Sequence, residues 1–385
     1  MFRRIGEFLH DVVLQADWIL FGLCTAATFY GILLIASATR FMDTNRYIIT
    51  QGAGWFLGVI LYFAFSSIDL VEVSKKWKPF LIFNVVFILL LLTPFGVEGG
   101  TGNRAWLDFP FLPVNIQPAE IVKVSFIILL ARQLDYYRKR PGSLVRLSNV
   151  LFPVGHLLFM VLLIYGISSD AGSALVYVFV FLSMAFAAEM AYRWFAIGLG
   201  AVTLGAVAVW KFNLLPGYMR DRFLVVFDHT YQPLGKGWQQ SRALLAVGSG
   251  RFAGQGLFSG LQTQSPYKSS LPARQTDFIF AVCGEELGFL GCLIIIALLL
   301  AIMFRCLIVA RNAGTKMESY VCVGMAAMLL FQAAANIGMC LFILPVVGLT
   351  LPFFSYGGSS IVTLFAAMGI VSGIQKRSRP DWLIS

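Results

Sequence analysis

The chain has 385 residues, of which 58% are hydrophobic and only 12% charged, with a mean hydropathy of +0.80. A water-soluble fold must wet its surface and typically carries about 25% charge, so this composition excludes an ordinary soluble protein and points to the bilayer as solvent. The formal net charge of +10 comes from Lys and Arg that punctuate apolar segments, the pattern of membrane topology rather than of a nucleic-acid patch.

In chain order, Arg3 and Arg4 precede an apolar run that ends near Ala36-Ser37-Ala38, a stretch that imitates a signal peptide and its cleavage site. The run from Trp18 is nearly 20 residues long, beyond the usual signal core, and Glu7, Asp11 and Asp17 interrupt the leader. It is read as an uncleaved first span. A helix needs about 20 mainly apolar residues to cross a bilayer. Segments of that kind fall at 18–37, 48–66, 79–95, 118–134, 149–167, 171–189, 192–210, 278–304, 319–344 and 357–374. The fold class expected is therefore an all-α integral membrane protein of about ten transmembrane helices, forming one polytopic domain over 1–385.

Short loops on one side hold Arg3, Arg4, Lys75, Lys76, Lys78, Arg138, Lys139, Arg140, Arg146, Arg193, Arg305, Arg311, Lys316, Lys376, Arg377 and Arg379, against Arg40, Arg46 and Arg104 on the other. The positive-inside rule then places both termini in the cytoplasm. Two larger loops fall outside: 96–117, with Gly99, Gly100, Gly102 and Trp106, and 211–276 between the seventh and eighth spans. The second contains Arg220, Arg222, Lys236, Arg242, Arg251, Lys268 and Arg274, and its apolar content (Phe223 to Phe227, Trp238, Leu244 to Val247) argues for order. No internal repeat of the transporter kind is evident. The six cysteines lack CxxC spacing and the three histidines, His10, His156 and His229, are far apart, which argues against zinc, disulfide or histidine-metal frameworks.

Five constellations carry chemistry. In Leu271-Pro-Ala-Arg-Gln-Thr-Asp-Phe-Ile-Phe280, Thr276 suits an N-cap and Asp277 a first helical turn, where the helix dipole favours a carboxylate. Asp277 reads either as a capping acid or as a general base at the membrane surface. Glu285 and Glu286 lie roughly 12 Å deeper on the same helix, as a structural pair with a basic neighbour or as catalytic acids. Glu120 and Lys123 are three apart at the head of the fourth span, after Pro118. They form a self-neutralising pair, or else Lys123 joins Arg104 in offering cations to a phosphate. The glycine-rich stretch Gly248–Gly256 lacks the GxxxxGK[ST] pattern of a nucleotide loop; Arg251 in it faces anionic groups or simply sits in a turn. Finally, Pro352, Ser355, Gly357 and Gly358 bring irregular backbone to membrane depth, tolerated only where buried in protein or facing water.

Together these motifs resemble the SEDS family (RodA, FtsW and SpoVE) over nearly the whole chain. The matching pieces are Arg104-Ala-Trp106, Gln117-Pro-Ala-Glu-Ile-Val-Lys123, Asp170-Ala-Gly-Ser-Ala-Leu175, Ala246-Val-Gly-Ser-Gly250, Thr276-Asp-Phe-Ile-Phe280, Gly284-Glu-Glu-Leu-Gly288 and Leu351-Pro-Phe-Phe-Ser-Tyr-Gly-Gly-Ser-Ser360. The resemblance implies ten spans in the bacterial cell membrane and a peptidoglycan glycosyltransferase that polymerises lipid II, working with a class B penicillin-binding protein. It places the essential acid at Asp277 and substrate-binding charges at Arg104, Glu120 and Lys123. Arg251 joins the binding set, while Glu285, Glu286, Ser355, Gly357 and Gly358 support it. The chain departs from the family at Ser168-Ser-Asp-Ala-Gly-Ser173, at Ala273 and at Arg251, where an acid or glycine is usual. Asn336-Ile-Gly-Met339 and Leu344-Pro-Val-Val-Gly348 look like the shape branch, Leu349-Thr-Leu-Pro352 like the division branch. No cofactor is singled out; a divalent cation at the pyrophosphate is left open, with no ligand cluster to hold it. Two other functions stay in view: a lipid II flippase, favoured by the intramembrane Glu120, Lys123, Glu285 and Glu286, and a scaffold that activates a penicillin-binding protein.

Overall fold

The computed structural model describes residues 15–42, 44–98, 103–110, 115–212, 217–228, 235, 237–267 and 270–378. Arg3, Arg4, Glu7, His10, Asp11, Gly99, Gly100, Gly102, His229, Lys236, Lys268 and Arg379 lie outside them. The helices run in the order α1 (Trp18–Thr39), α2 (Arg46–Ser66), α3 (Leu70–Lys75), α4 (Trp77–Leu89), α5 (Pro118–Arg138), α6 (Leu147–Ser168), α7 (Ala171–Ala187) and α8 (Tyr192–Lys211). They continue as α9 (Gly217–Phe227), α10 (Trp238–Ser249), α11 (Ile279–Glu286), α12 (Gly288–Asn312), α13 (Lys316–Cys340) and α14 (Gly358–Arg377). A two-stranded antiparallel ribbon, β1 (Gly96–Val97) with β2 (Trp106–Leu107), lies between α4 and α5.

Each of the ten predicted spans contains a helix. Seven among the described residues are long and apolar enough to cross a membrane: α1 with its 3-10 extension to Met42, α2, α6, α8, α12, α13 and α14. The helix at Trp77–Leu92 and α7 are apolar but shorter. Helix α5 has 21 residues yet carries Glu120, Lys123, Arg132, Asp135 and Arg138. The chain is a multi-pass, mostly helical membrane protein.

Burial sorts these helices. Most of α13 and α14 is covered by protein, whereas α8 buries none of its residues. An apolar helix with no covered face is solvated by lipid, so its hydropathy alone keeps it in the bilayer. Helix α14 packs on α2 through close backbone approach. A Cβ on Gly369 would stand 2.4 Å from the Tyr62 carbonyl, and one on Gly373 would stand 2.6 Å from the Ser66 carbonyl. In lipid, where burial of apolar groups adds little, small residues at such seams supply the packing. At one end of the bundle Asp17 caps α1, accepting from the Leu20 amide at 3.1 Å. It also pairs with Arg305 of α12 at 2.8 Å, while its backbone bonds Ser372 of α14 and Tyr62 of α2. One buried acid thus joins four helices.

Two expectations are corrected here. The predicted span 278–304 is two helices: Gly288 adopts φ +66° between α11 and α12, because its backbone passes so close to Gly254 that a Cβ would stand 2.4 Å from the Gly254 nitrogen. Thr276 is not an N-cap. Helix α11 begins at Ile279, and the Thr276 hydroxyl donates to the Ala273 carbonyl at 3.3 Å. Asp277 therefore precedes the helix, in a run of turns over 271–278.

The α2–α14 seam makes a stability prediction. Gly369→Ala should destabilise by about 1–3 kcal/mol, because an inserted methyl has no room there. Gly205→Ala on α8, where a Cβ meets nothing within 4 Å, should be neutral or slightly stabilising. Thermal unfolding of the two variants in the same detergent should show a lower midpoint for Gly369→Ala alone.

Candidate active site

The backbone of 275–277 is fastened from three sides. Asn336 of α13, fully buried, donates its Nδ2 to the Asp277 carbonyl at 2.8 Å and to the Leu349 carbonyl at 2.7 Å. Ser355 donates to the Thr276 carbonyl at 2.7 Å while accepting from the Leu351 amide at 2.8 Å. The Tyr356 amide donates to the Gln275 carbonyl at 2.9 Å. Gln51 of α2 holds this second segment in turn, donating to the Ser355 carbonyl at 3.1 Å and accepting from the Gly357 amide at 3.0 Å. Gly358, next along, lies against α2, its carbonyl 3.1 Å from where a Cβ on Gly54 would be. The irregular backbone noticed at 351–358 is therefore buried in protein, and what it does is brace the turn that carries Asp277.

The Asp277 side chain lies beside Gly348: a Cβ there would be 3.9 Å from Oδ2. Burial pushes the Asp277 carboxyl up to about 6, with the nearby Asp170 charge adding to the rise and a Thr276 hydrogen bond opposing it. Asp170 caps α7, accepting from the Ser173 amide at 2.9 Å and its hydroxyl at 2.7 Å, and it accepts from Gln117 at 3.3 Å. Gly172 brings the head of α7 against the Val347 carbonyl, which a Cβ would approach to 2.4 Å. Asp170 and Gln117 thus join the surroundings of Asp277. The sequence flagged both only as parts of matching motifs.

Glu120 and Lys123 form a buried ion pair one turn into α5, with Lys123 only 1% exposed. Tyr177 of α7 donates to the Ala119 carbonyl at 2.9 Å and so anchors that turn. Arg104 spends its guanidinium on the carbonyls of Gly96 (3.1 Å) and Thr93 (2.7 Å), closing the β1–β2 ribbon. Glu285 and Glu286 are completely buried, and among the described residues no basic side chain is hydrogen-bonded or ion-paired to them. Glu285 accepts from the Gln262 and Thr263 amides, both at 2.8 Å, and from the Thr263 hydroxyl at 2.6 Å. Glu286 accepts from Ser37 of α1 (2.5 Å), Gln264 (2.7 Å) and the amides of Phe258 and Gly260. Their direct donors are backbone amides, hydroxyls and the Gln264 amide, because the 257–264 segment folds over the end of α11; the expected basic neighbour is Arg274, which acts on Glu285 by charge without bonding to it. Arg274 completes the wrap from the other side: stacked on Phe41 at 4.0 Å, it donates to the carbonyls of Gln262, Thr263, Ser265 and Tyr267.

Arg251 lies in the left-handed region at φ +51° and lines a cavity of about 800 Å³ beside α10. Among the described residues, no three His, Cys, Asp or Glu side chains gather where they could hold a metal ion. The site is a fixed, half-buried carboxylate with a raised proton affinity, beside Asp170 and Gly348. That arrangement can take a proton from a hydroxyl brought to its rim.

Over 319 residues the chain is 33% identical to peptidoglycan glycosyltransferase MrdB of Escherichia coli K12, covering 83% of this chain and 82% of that one. It is 31% identical over 370 residues to a probable peptidoglycan glycosyltransferase FtsW of Geobacter metallireducens, covering 94% and 95%. Among solved structures it resembles a chain of a peptidoglycan synthase complex that coordinates polymerization and crosslinking (TM-score 0.79, 28% identity, 95% of this chain and 99% of that one). It also resembles the rod shape determining protein RodA of Thermus thermophilus (TM-score 0.68, 26% identity, 95% and 98%). Residues 13–380 match the family model of the FtsW, RodA and SpoVE cell cycle proteins, and the chain belongs to that family.

Proposed function

We propose that this protein is a peptidoglycan glycosyltransferase of the bacterial cell membrane, a ten-span bundle with both termini in the cytoplasm, which polymerises lipid II on the outer side. The observation that carries the reading is the Asp277 carboxylate, held by Asn336 and Ser355 through its own backbone and that of Thr276. The glycosyltransferase names of the relatives support the reaction class.

In this mechanism Asp277 accepts the proton of the acceptor sugar's 4-hydroxyl. The oxygen forms a bond to the donor's anomeric carbon as the bond to polyprenyl pyrophosphate breaks, and inversion gives a β-1,4 link. The leaving group departs with its electron pair as an anion, so cations near its path lower the barrier. Arg251 is the exposed cation at the cavity. Lys123 acts from within its pair with Glu120, and Arg104 acts by closing the β1–β2 ribbon. Glu285 and Glu286 hold the 257–264 segment. A class B penicillin-binding protein is the proposed partner, in keeping with the resemblance to a synthase complex that couples polymerization to crosslinking.

The structural features once favourable to a flippase now weigh against it. Glu120 and Lys123 neutralise each other, and both Glu285 and Glu286 are filled with fixed donors, so none is poised to carry charge across the bilayer.

General base catalysis contributes about 10²–10⁴-fold. Asp277→Asn, purified and folded, should therefore lose polymerisation of lipid II by at least about 100-fold; parent-like glycan synthesis would end the assignment. Because the base works unprotonated, activity in the parent should be full above the raised pKa and fall about tenfold per pH unit below about 6. Asp170→Asn keeps the α7 cap but removes a negative charge that raises the Asp277 pKa. It should move this acid limb to lower pH, measured as the pH profile of kcat/KM.

A further inference from the structure

The connection 139–146 between α5 and α6 gathers three arginines that the mechanism does not use. Arg140 lays its guanidinium over the rings of Tyr136 (4.6 Å) and Tyr137 (5.3 Å) and donates to the Tyr136 hydroxyl. Tyr137 stacks in turn on Phe152 of α6, with ring centroids 5.6 Å apart and planes 10° from parallel. Arg146 folds back over Gly142, where a Cβ would stand 2.5 Å from the Arg146 Cδ. Arg193, at the head of α8, donates to the Val145 carbonyl and lies over the Trp194 ring at 5.0 Å.

The turn that assembles them is fixed. Asn149 of α6 is buried and donates to the carbonyls of Ser143 (2.7 Å) and Pro141 (3.4 Å), and the Trp194 indole donates to the Val145 carbonyl at 3.1 Å. The acids on the adjoining elements are already paired: Asp135 with Lys139 at 2.6 Å and Glu189 with Arg138 at 2.7 Å. Arg140, Arg146 and Arg193 are all exposed, and none has an acidic partner among the described residues. Three like charges on one short turn repel one another. Each is nonetheless held against a ring, a carbonyl or the chain itself instead of splaying into water. Such a cluster favours an anion, and a guanidinium fork takes a phosphate through two parallel bonds.

The membrane boundary decides the source of that phosphate. Arg146 immediately precedes α6 and Arg193 is the second residue of α8, and both helices are long and apolar enough to cross a membrane. The cluster therefore sits at headgroup level. From it α6 presents an exposed stripe, Leu147, Leu151, Gly155, Leu158 and Leu162, spaced three and four apart, with Phe152 beside it 63% exposed. A free phosphate would use the arginines alone; a phospholipid uses the arginines and the stripe.

We propose that this turn binds an anionic phospholipid with two phosphates, a diphosphatidylglycerol, its phosphates on Arg140, Arg146 and Arg193 and its acyl chains along α6. Three guanidiniums match two phosphates more closely than one, and basic pockets between membrane helices bind heads of this kind. The proposal stands apart from the glycosyltransferase reading and needs only that these residues lie at the membrane surface.

The test measures binding of tetraoleoyl diphosphatidylglycerol to the full-length protein in detergent, by native mass spectrometry across a titration of the lipid. The parent should bind it saturably. Arg140→Gln/Arg146→Gln/Arg193→Gln should weaken binding about tenfold or more. Lys76→Gln/Arg311→Gln/Lys316→Gln, which removes three exposed cations outside the turn, should bind as the parent does. Arg146→Gln alone, whose side chain bonds no group among the described residues, should weaken binding severalfold at an unchanged thermal midpoint, which separates binding from folding. Phosphatidylglycerol should compete severalfold less well, and inorganic pyrophosphate should not displace the lipid. Parent-like binding by the triple arginine variant, an equal loss in the triple control, equal competition by phosphatidylglycerol, or displacement by pyrophosphate would overturn the assignment.

Discussion

The structure depends on how the backbone of Gln275, Thr276 and Asp277 is held. These residues lie in no helix, yet all three of their carbonyls are bonded, from α13 and from the turn segment that precedes α14. Leaving a buried carbonyl without a donor costs about 1–3 kcal/mol, so the Asn336 amide, which serves two carbonyls at once, is a strong constraint on local geometry. Gln51 extends the constraint to α2, which the α2–α14 seam packs backbone to backbone against α14. A reactive carboxylate placed on a loop gains the positional accuracy of a helix bundle in this way.

The same principle governs the opposite end of α11. Two adjacent buried acids would ordinarily demand basic partners, since a buried charge without compensation is expensive. Here the 257–264 segment supplies amides and hydroxyls, and Ser37 brings in α1. Arg274 acts on Glu285 by charge alone and spends its donors on four carbonyls of that segment. The acids and the arginine grip one loop from two sides. That loop also forms a lip of the cavity beside α10, so the deep acids bear on the shape of a surface they never touch.

Much of this was legible in the sequence. Hydropathy and length located a helix in every predicted span, because in lipid the period and run of apolar residues are the dominant constraint. The three-residue spacing of Glu120 and Lys123 gave their pairing. The capping rule failed at Thr276 because tertiary bonds from Ser355 and Tyr356 occupy the preceding turn and delay the helix to Ile279. The break at Gly288 was hidden inside an apolar run, and it falls where the 251–256 backbone crosses the chain and bonds Glu285, Glu286, Phe289 and Leu290. Asn336 and Gln51 were missed as site residues because each is a side-chain amide within an apolar helix whose partners lie far off in sequence. A buried amide in a span is itself costly, and that cost was the available signal.

The central claim is that Asn336 acts through Asp277. A double-mutant cycle on lipid II polymerisation by purified protein tests this most directly. Asn336→Ala should lower kcat sharply in the parent, yet cost almost nothing further when added to Asp277→Asn, because the group it positions is already gone. Equal, additive losses in both backgrounds would contradict the account and reduce Asn336 to a general support of the fold.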